Sequence, residues 1–132
     1  MIHPELVDLD DLFREHHNIY FSVDAQLMLG YSLLDACMMD KKQFIGNLNS
    51  KLFYSTFLAT SLSFWKPVIE AHPTRIMWGT DLAYWRHYEP DVIHAITQFG
   101  RDFISNLEPE VQESFAHRNA SEMLDPSTQP TP

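Results

Sequence analysis

The chain has 132 residues with 9 basic and 18 acidic side chains, a formal charge of −9 with histidine neutral. Such a balance excludes a sequence-independent nucleic-acid or anionic-membrane binder, which needs a basic face to neutralise phosphate, and no apolar run reaches the roughly 20 residues that cross a bilayer. A hydrophobic fraction of 45% with 13% aromatic is too rich for a disordered chain, and the length suits one domain at most.

Met1 to Asp8 lacks the basic patch and apolar core of a secretory signal. Cys37 is the single cysteine, so no disulfide forms within the chain. It stands beside Met38 and Met39 and reads as a small buried hydrophobe in a reducing, cytoplasmic setting. Asp8 to Glu15 spaces Leu9, Leu12 and Phe13 as a short helix. Asn18 to Asp24 is a β-branched and aromatic run that reads as a buried strand. Leu33 to Met39 fits one helix, and Gly46-Asn47 after Phe44 and Ile45 reads as a turn. Ser50 to Ser61 is helical by spacing; Ser63 then reads as the cap of a separate helix, with Pro67 in its first turn or so and an end at Ala71 to Pro73.

Arg75 to Asp81 holds Ile76, Met77 and Trp78 between Pro73 and Gly79, apolar on both faces, as a strand covered on both sides would be. An aromatic-polar loop, Tyr84 to Tyr88, leads to an amphipathic helix from Pro90, with Val92, Ile93, Ile96, Phe99, Phe103 and Ile104 along one stripe. A further helix starts near Pro109 with Val111 and Phe115 facing inward, and Asn119 reads as the N-cap of a last short helix ending near Leu124. Residues 125–132, rich in Pro, Ser and Thr, read as a flexible tail. Two buried strands separated by helices predict an α/β chain with a βαβ unit and a parallel sheet, its crossover lengthened by extra helices.

Both strands end in a carboxylate, Asp24 and Asp81, the end at which α/β enzymes place their chemistry. The words around them are more specific. Trp65 to Asp81, with its Pro73-Thr74-Arg75 step and its apolar strand closing in Gly79-Thr80-Asp81, resembles the last strand of the amidohydrolase-related (amidohydrolase 2) family. Asp11 to Phe21 is similar to that family's seventh strand and the helix before it, and Leu107 to Leu124, with its Asn119-Ala120 pair, looks like the family's C-terminus.

The resemblance implies that residues 1–124 are a partial domain: the C-terminal portion of a (β/α)8 TIM barrel, about its last two βα units with a helical insertion. It further implies a metal-dependent hydrolase, with decarboxylation as a variant within the family, acting on a small-molecule substrate in the complete barrel. The cofactor would be a divalent metal, zinc by family habit, and Asp81 would be both catalytic base and metal ligand. The family's metal-binding histidines belong to strands with no counterpart here, so this chain alone is not expected to hold the ion tightly. Self-association, or completion by an N-terminal portion, is the partner expectation. The competing reading is a truncated non-catalytic protein or a helix-rich binding module.

Other candidates have plainer readings. Asp24 reads as a turn residue. Tyr84, Trp85, Arg86 and His87 would line a pocket if the resemblance holds, and otherwise cover a core edge. His16 and His17 are adjacent, so their side chains point apart and do not serve one ion. His3 reads as a surface residue, and His72, His94 and His117 as structural or exposed ones.

Overall fold

The computed structural model describes residues 9–29, 37–125 and 127. His3, the stretch before Cys37 in the expected helix from Leu33, and nearly all of the expected tail lie outside them.

Helix α1 (Leu9–Glu15) opens with Asp10 and Asp11, placing acids at the positive end of the helix dipole, and buries Leu9 and Phe13 on one face. Strand β1 (Phe21–Asp24) follows, then a short helix α2 (Ala25–Leu29). Helix α3 (Lys41–Asn49) is capped by Asp40, whose carboxylate accepts from the Gln43 amide at 2.9 Å, and it buries Phe44 and Leu48 at i, i+4. Its interior contains Gly46-Asn47, so the turn expected there is absent. The cap behind it and the buried pair override the weak helix preference of glycine.

Helix α4 (Lys51–Ala71) is a second correction. Two helices with a break at Ser63 were expected, but one helix of 21 residues runs through. The Ser63 hydroxyl caps nothing and instead donates back to the Thr60 carbonyl at 2.8 Å. Pro67 lies inside this helix and lacks the N–H that would bond the Ser63 carbonyl. Trp65 and Ile69, buried on one face, hold the turns on either side of it.

Strand β2 (Ile76–Gly79) pairs with β1 in parallel, Phe21 opposite Ile76 and Asp24 opposite Gly79. A 3-10 turn (Trp85–Tyr88) leads into α5 (Pro90–Ser105), with Pro90 at its first position and Val92, Ile96, Phe99, Gly100 and Phe103 buried, close to the stripe expected from sequence. Helix α6 (Pro109–Glu113) runs through a π turn (Ser114–Arg118) into α7 (Asn119–Leu124).

Helices α3, α4 and α5 pack against one another, and the sheet lies against them. Phe21 of β1 stacks on Trp65 of α4 with ring centroids 6.3 Å apart, and Trp78 of β2 lies against Gly100 of α5. Arg75 ties the approach to β1 to the start of β2. Its guanidinium donates to the Ile19 carbonyl at 2.7 Å and the His16 carbonyl at 2.6 Å, and lies over the Phe13 ring at 4.9 Å.

The expected α/β fold, a C-terminal portion of a TIM barrel, is contradicted. Among the described residues the chain is mostly helical, and its sheet is two parallel strands of four residues each. The edges show why. In this register Ile76 directs its carbonyl away from β1, where the next strand of a barrel would bond. That carbonyl instead accepts from the Asn119 side-chain amide at 2.7 Å, and the same amide donates to the Pro73 carbonyl at 2.8 Å. The helical segment carrying Asn119 therefore covers the outer edge of β2 at Ile76. Asn119 is not the expected N-cap: its backbone is helical and its residue 1% exposed.

Two glycines test the packing. A Cβ at Gly100 would lie 2.9 to 3.2 Å from three indole atoms of Trp78, whereas one at Gly46 would meet nothing within 4 Å. Gly100→Ala is expected to lose about 1–2 kcal/mol net in urea unfolding, the overpacking outweighing the better helix propensity of alanine. Gly46→Ala should gain about 0.5–1 kcal/mol.

A polar pair joins α4 to α5. The Tyr54 hydroxyl donates to the Asp102 carboxylate, which also accepts from the Gln98 amide at 2.9 Å. Burial first, then the Asp102 hydrogen bond and charge, raise the Tyr54 phenol well above its ordinary value of 10.0. A phenol raised on folding stabilises the protein fully below the unfolded value, and that stability is lost as pH climbs above it. The urea midpoint should therefore fall above about pH 10, and Tyr54→Phe should flatten that alkaline slope.

Candidate functional site

The parallel register sets the carboxyl ends of both strands side by side, Asp24 opposite Gly79, with Asp81 two residues further on. Asp81 is exposed and takes φ of 45°, a left-handed backbone that is the sole positive φ outside glycine among the described residues. Aspartate tolerates this region better than most side chains, at some cost over glycine.

The loop after Asp81 folds back on itself. The Tyr88 hydroxyl donates to the Leu82 carbonyl at 2.5 Å, and the His87 amide to the Tyr84 carbonyl at 2.9 Å. In a 3-10 turn, residues three apart eclipse, so Trp85 and Tyr88 share one side. Tyr84, Trp85 and Tyr88 are exposed by 47%, 65% and 59%. Arg86 turns the other way. Its guanidinium donates to the Met38 carbonyl at 2.7 Å and the Cys37 carbonyl at 3.2 Å, lies 4.9 Å from the Trp85 ring centroid, and is 3.7 Å from the Glu89 carboxylate.

Beneath them lies His87, 1% exposed, with neither ring nitrogen hydrogen-bonded. Tyr84 stands edge-on to it, ring centroids 5.3 Å apart at 79°. The expected loop of pocket candidates thus divides by role: three aromatics face solvent, Arg86 anchors the segment at Cys37 and Met38, and His87 is enclosed.

Lys41 at the start of α3 meets Glu89 at 2.5 Å and Asp91 at 3.0 Å. Its ammonium lowers the Asp91 carboxyl, and Glu89 first, then Asp91, raise the Lys41 ammonium. Burial raises the Cys37 thiol, which fits the buried hydrophobe expected of it and not a nucleophile.

No family model, no curated protein and no solved structure matches the chain.

A divalent ion needs three or four convergent donors. Among the described residues no group of three or more His, Cys, Asp or Glu side chains could hold one. The metal that the resemblance implies does not fit the described donors, and Asp81 has no such set around it there. His72 is structural: it pairs with Asp10 and meets the Phe13 ring edge-on at 4.8 Å, joining α1 to the end of α4. His16, His17, His94 and His117 are all exposed. Among the described residues no helix is long and apolar enough to cross a membrane.

Sequence reasoning set His87 among loop residues of equal standing and missed that it alone is buried without partners. No local signal could have distinguished it, because an unsatisfied nitrogen is a property of what the rest of the chain packs around it.

Proposed function

We propose that the carboxyl edge of the two strands is a hydrolytic site in which Asp81 takes the proton from the attacking water. The single observation that carries this reading is the left-handed backbone of Asp81 just past the end of β2. Backbone strain of this kind, of order 1 kcal/mol, gathers at functional sites, and in larger parallel sheets ligands bind beyond the carboxyl ends of the strands. The Gly79-Thr80-Asp81 resemblance supplies the reaction class, hydrolysis of a small molecule, with decarboxylation as a variant.

The chemistry is general base catalysis. The Asp81 carboxylate accepts a proton as water oxygen bonds to the substrate carbonyl carbon. The same proton then passes to the leaving group as its bond to that carbon breaks. The described donors do not converge into a metal-binding set, so in this reading Asp81 acts on the water directly.

A second reading, a helix-rich binding module, is favoured by the outward rings of Tyr84, Trp85 and Tyr88. One assay separates the two. The full chain is incubated with aryl esters and anilides, with and without added zinc, beside Asp81→Asn. Turnover above the metal-only background that the variant lacks supports hydrolysis. No turnover, or turnover that the variant retains, leaves the binding module.

A further inference from the structure

The two edges of the sheet differ. Asn119 covers the outer edge of β2 at Ile76, whereas the outer edge of β1 has no such cover. The Phe21 amide donates to the Arg75 carbonyl at 2.9 Å. In a parallel ladder of this register, Phe21 and Val23 therefore turn their main-chain groups toward β2, and the groups between them turn away. The Ser22 N–H, the Ser22 C=O and the Tyr20 C=O thus point off the sheet. Among the described residues none of the three has a hydrogen-bond partner. The Ser22 residue is itself exposed. An edge left open in this way is a template for one more extended strand.

We propose that this edge is a self-association surface, on which β1 of a second copy pairs antiparallel across a two-fold axis at Ser22. The register is self-complementary. Ser22 of each copy meets Ser22 of the other, and each N–H donates to the opposite C=O, as a hydrogen-bonded antiparallel pair requires. The side chains that meet on the axis are small and polar, so they do not collide. Tyr20 comes opposite Asp24 of the second copy, on the same face of the joined sheet.

Charge favours a second copy over an arbitrary strand. The Arg75 guanidinium lies 5.8 Å from the Tyr20 ring centroid and donates to the Ile19 and His16 carbonyls. Among the described residues no carboxylate pairs with it, although the group is half-buried. The two-fold register brings an Asp24 carboxylate toward the Arg75–Tyr20 pair of each copy, once on either side of the axis. It also ends the assembly. The outer strands of the joined four-stranded sheet are the two copies of β2, each covered at Ile76 by its own Asn119, so pairing closes at two. The Asp81 loops then lie at opposite ends of the sheet, and the inference stands apart from the hydrolytic reading.

The test reads the oligomeric state of the full chain. Sedimentation equilibrium is run from micromolar to millimolar protein, in about 0.5 M salt to screen the repulsion between two chains of −9. We expect a reversible monomer–dimer equilibrium with no larger species. Exchange of the Ser22 amide proton, read by NMR, should slow at least tenfold between the dilute and the concentrated sample. Ser22→Pro removes that donor and sets a ring against the second strand. Its N–H bonds nothing within one copy, so the variant should keep the parent's circular dichroism and melt. Ser22→Lys instead sets two like charges face to face on the axis. Both should weaken the dimer at least tenfold, and if Ser22→Pro does not fold, Ser22→Lys decides alone. A monomer at every concentration or an assembly larger than two would overturn the proposal. So would a dimer retained by folded Ser22→Pro or by Ser22→Lys, or a Ser22 amide that exchanges equally fast in both samples.

Discussion

Asn119→Ala is expected to cost about 2–4 kcal/mol in urea unfolding, because it strips the donor from two carbonyls, each worth about 1–3 kcal/mol when left unpaired in the interior. The Ile76 carbonyl faces away from β1, and the Pro73 carbonyl precedes the strand, so Asn119 satisfies the outer edge of β2 and fixes its entrance together. Three substitutions separate this role from helix capping. Serine caps a helix as well as asparagine does, so a mere cap would leave Asn119→Ser nearly silent. Its short hydroxyl has one hydrogen and cannot serve both carbonyls, so a loss of about 1–2 kcal/mol is expected instead. Asn119→Asp should be the worst, since it sets a buried carboxylate against two carbonyl oxygens and costs about 3–5 kcal/mol. A silent Asn119→Ser would show that the edge contact contributes little.

The largest functional effect belongs to Asp81. If it is the base, Asp81→Asn should lower turnover by roughly 10² to 10⁴-fold, with a much smaller change in KM, since the charge matters most as the transition state develops. Asparagine tolerates the left-handed region as aspartate does, so stability should change by less than about 0.5 kcal/mol. Asp81→Gly adds a second arm. Glycine adopts φ of 45° without the Cβ penalty, which offsets the loss of the carboxylate's own contacts. It should stay within about 1 kcal/mol of the parent while losing turnover as fully as Asp81→Asn. Asp24→Asn, read as a turn residue, should remain within a few fold. A drop in turnover that tracks stability across these variants would mean that Asp81 acts through the loop's shape and not through its charge.

Much of the local structure was legible in the sequence. The stripe from Val92 to Phe103 and the proline that opens it announced α5, and Ile76 to Trp78, bounded by Pro73 and Gly79, announced β2. Leu9 and Phe13, the burial of Cys37, and the strand ending at Asp24 were read in the same way. In each case the pattern reports which face of one element is buried, and it needs no knowledge of what buries it.

What failed depended on neighbours far along the chain. Gly46 looks like a turn until Asp40 caps the helix before it and Phe44 and Leu48 find a core. Ser63 looks like a cap until Trp65 and Ile69 carry the helix past Pro67. The word Asn119-Ala120 suggested a helix start, yet the amide of Asn119 reaches back 43 residues to Ile76. Strands apolar on both faces suggested a parallel sheet flanked by helices, and the resemblance made a barrel of it, but apolarity states only that something covers the strand. Only the tertiary structure decided that the sheet has two strands, and that a side-chain amide meets the carbonyl where a third would pair. The carboxylate of Asp81 was visible as a candidate from its place after Gly79-Thr80. Its left-handed backbone, and the unpartnered imidazole of His87 under the Tyr84 ring, were not, because strain and unmet hydrogen bonds arise from how distant segments close around a residue and leave no period in the chain.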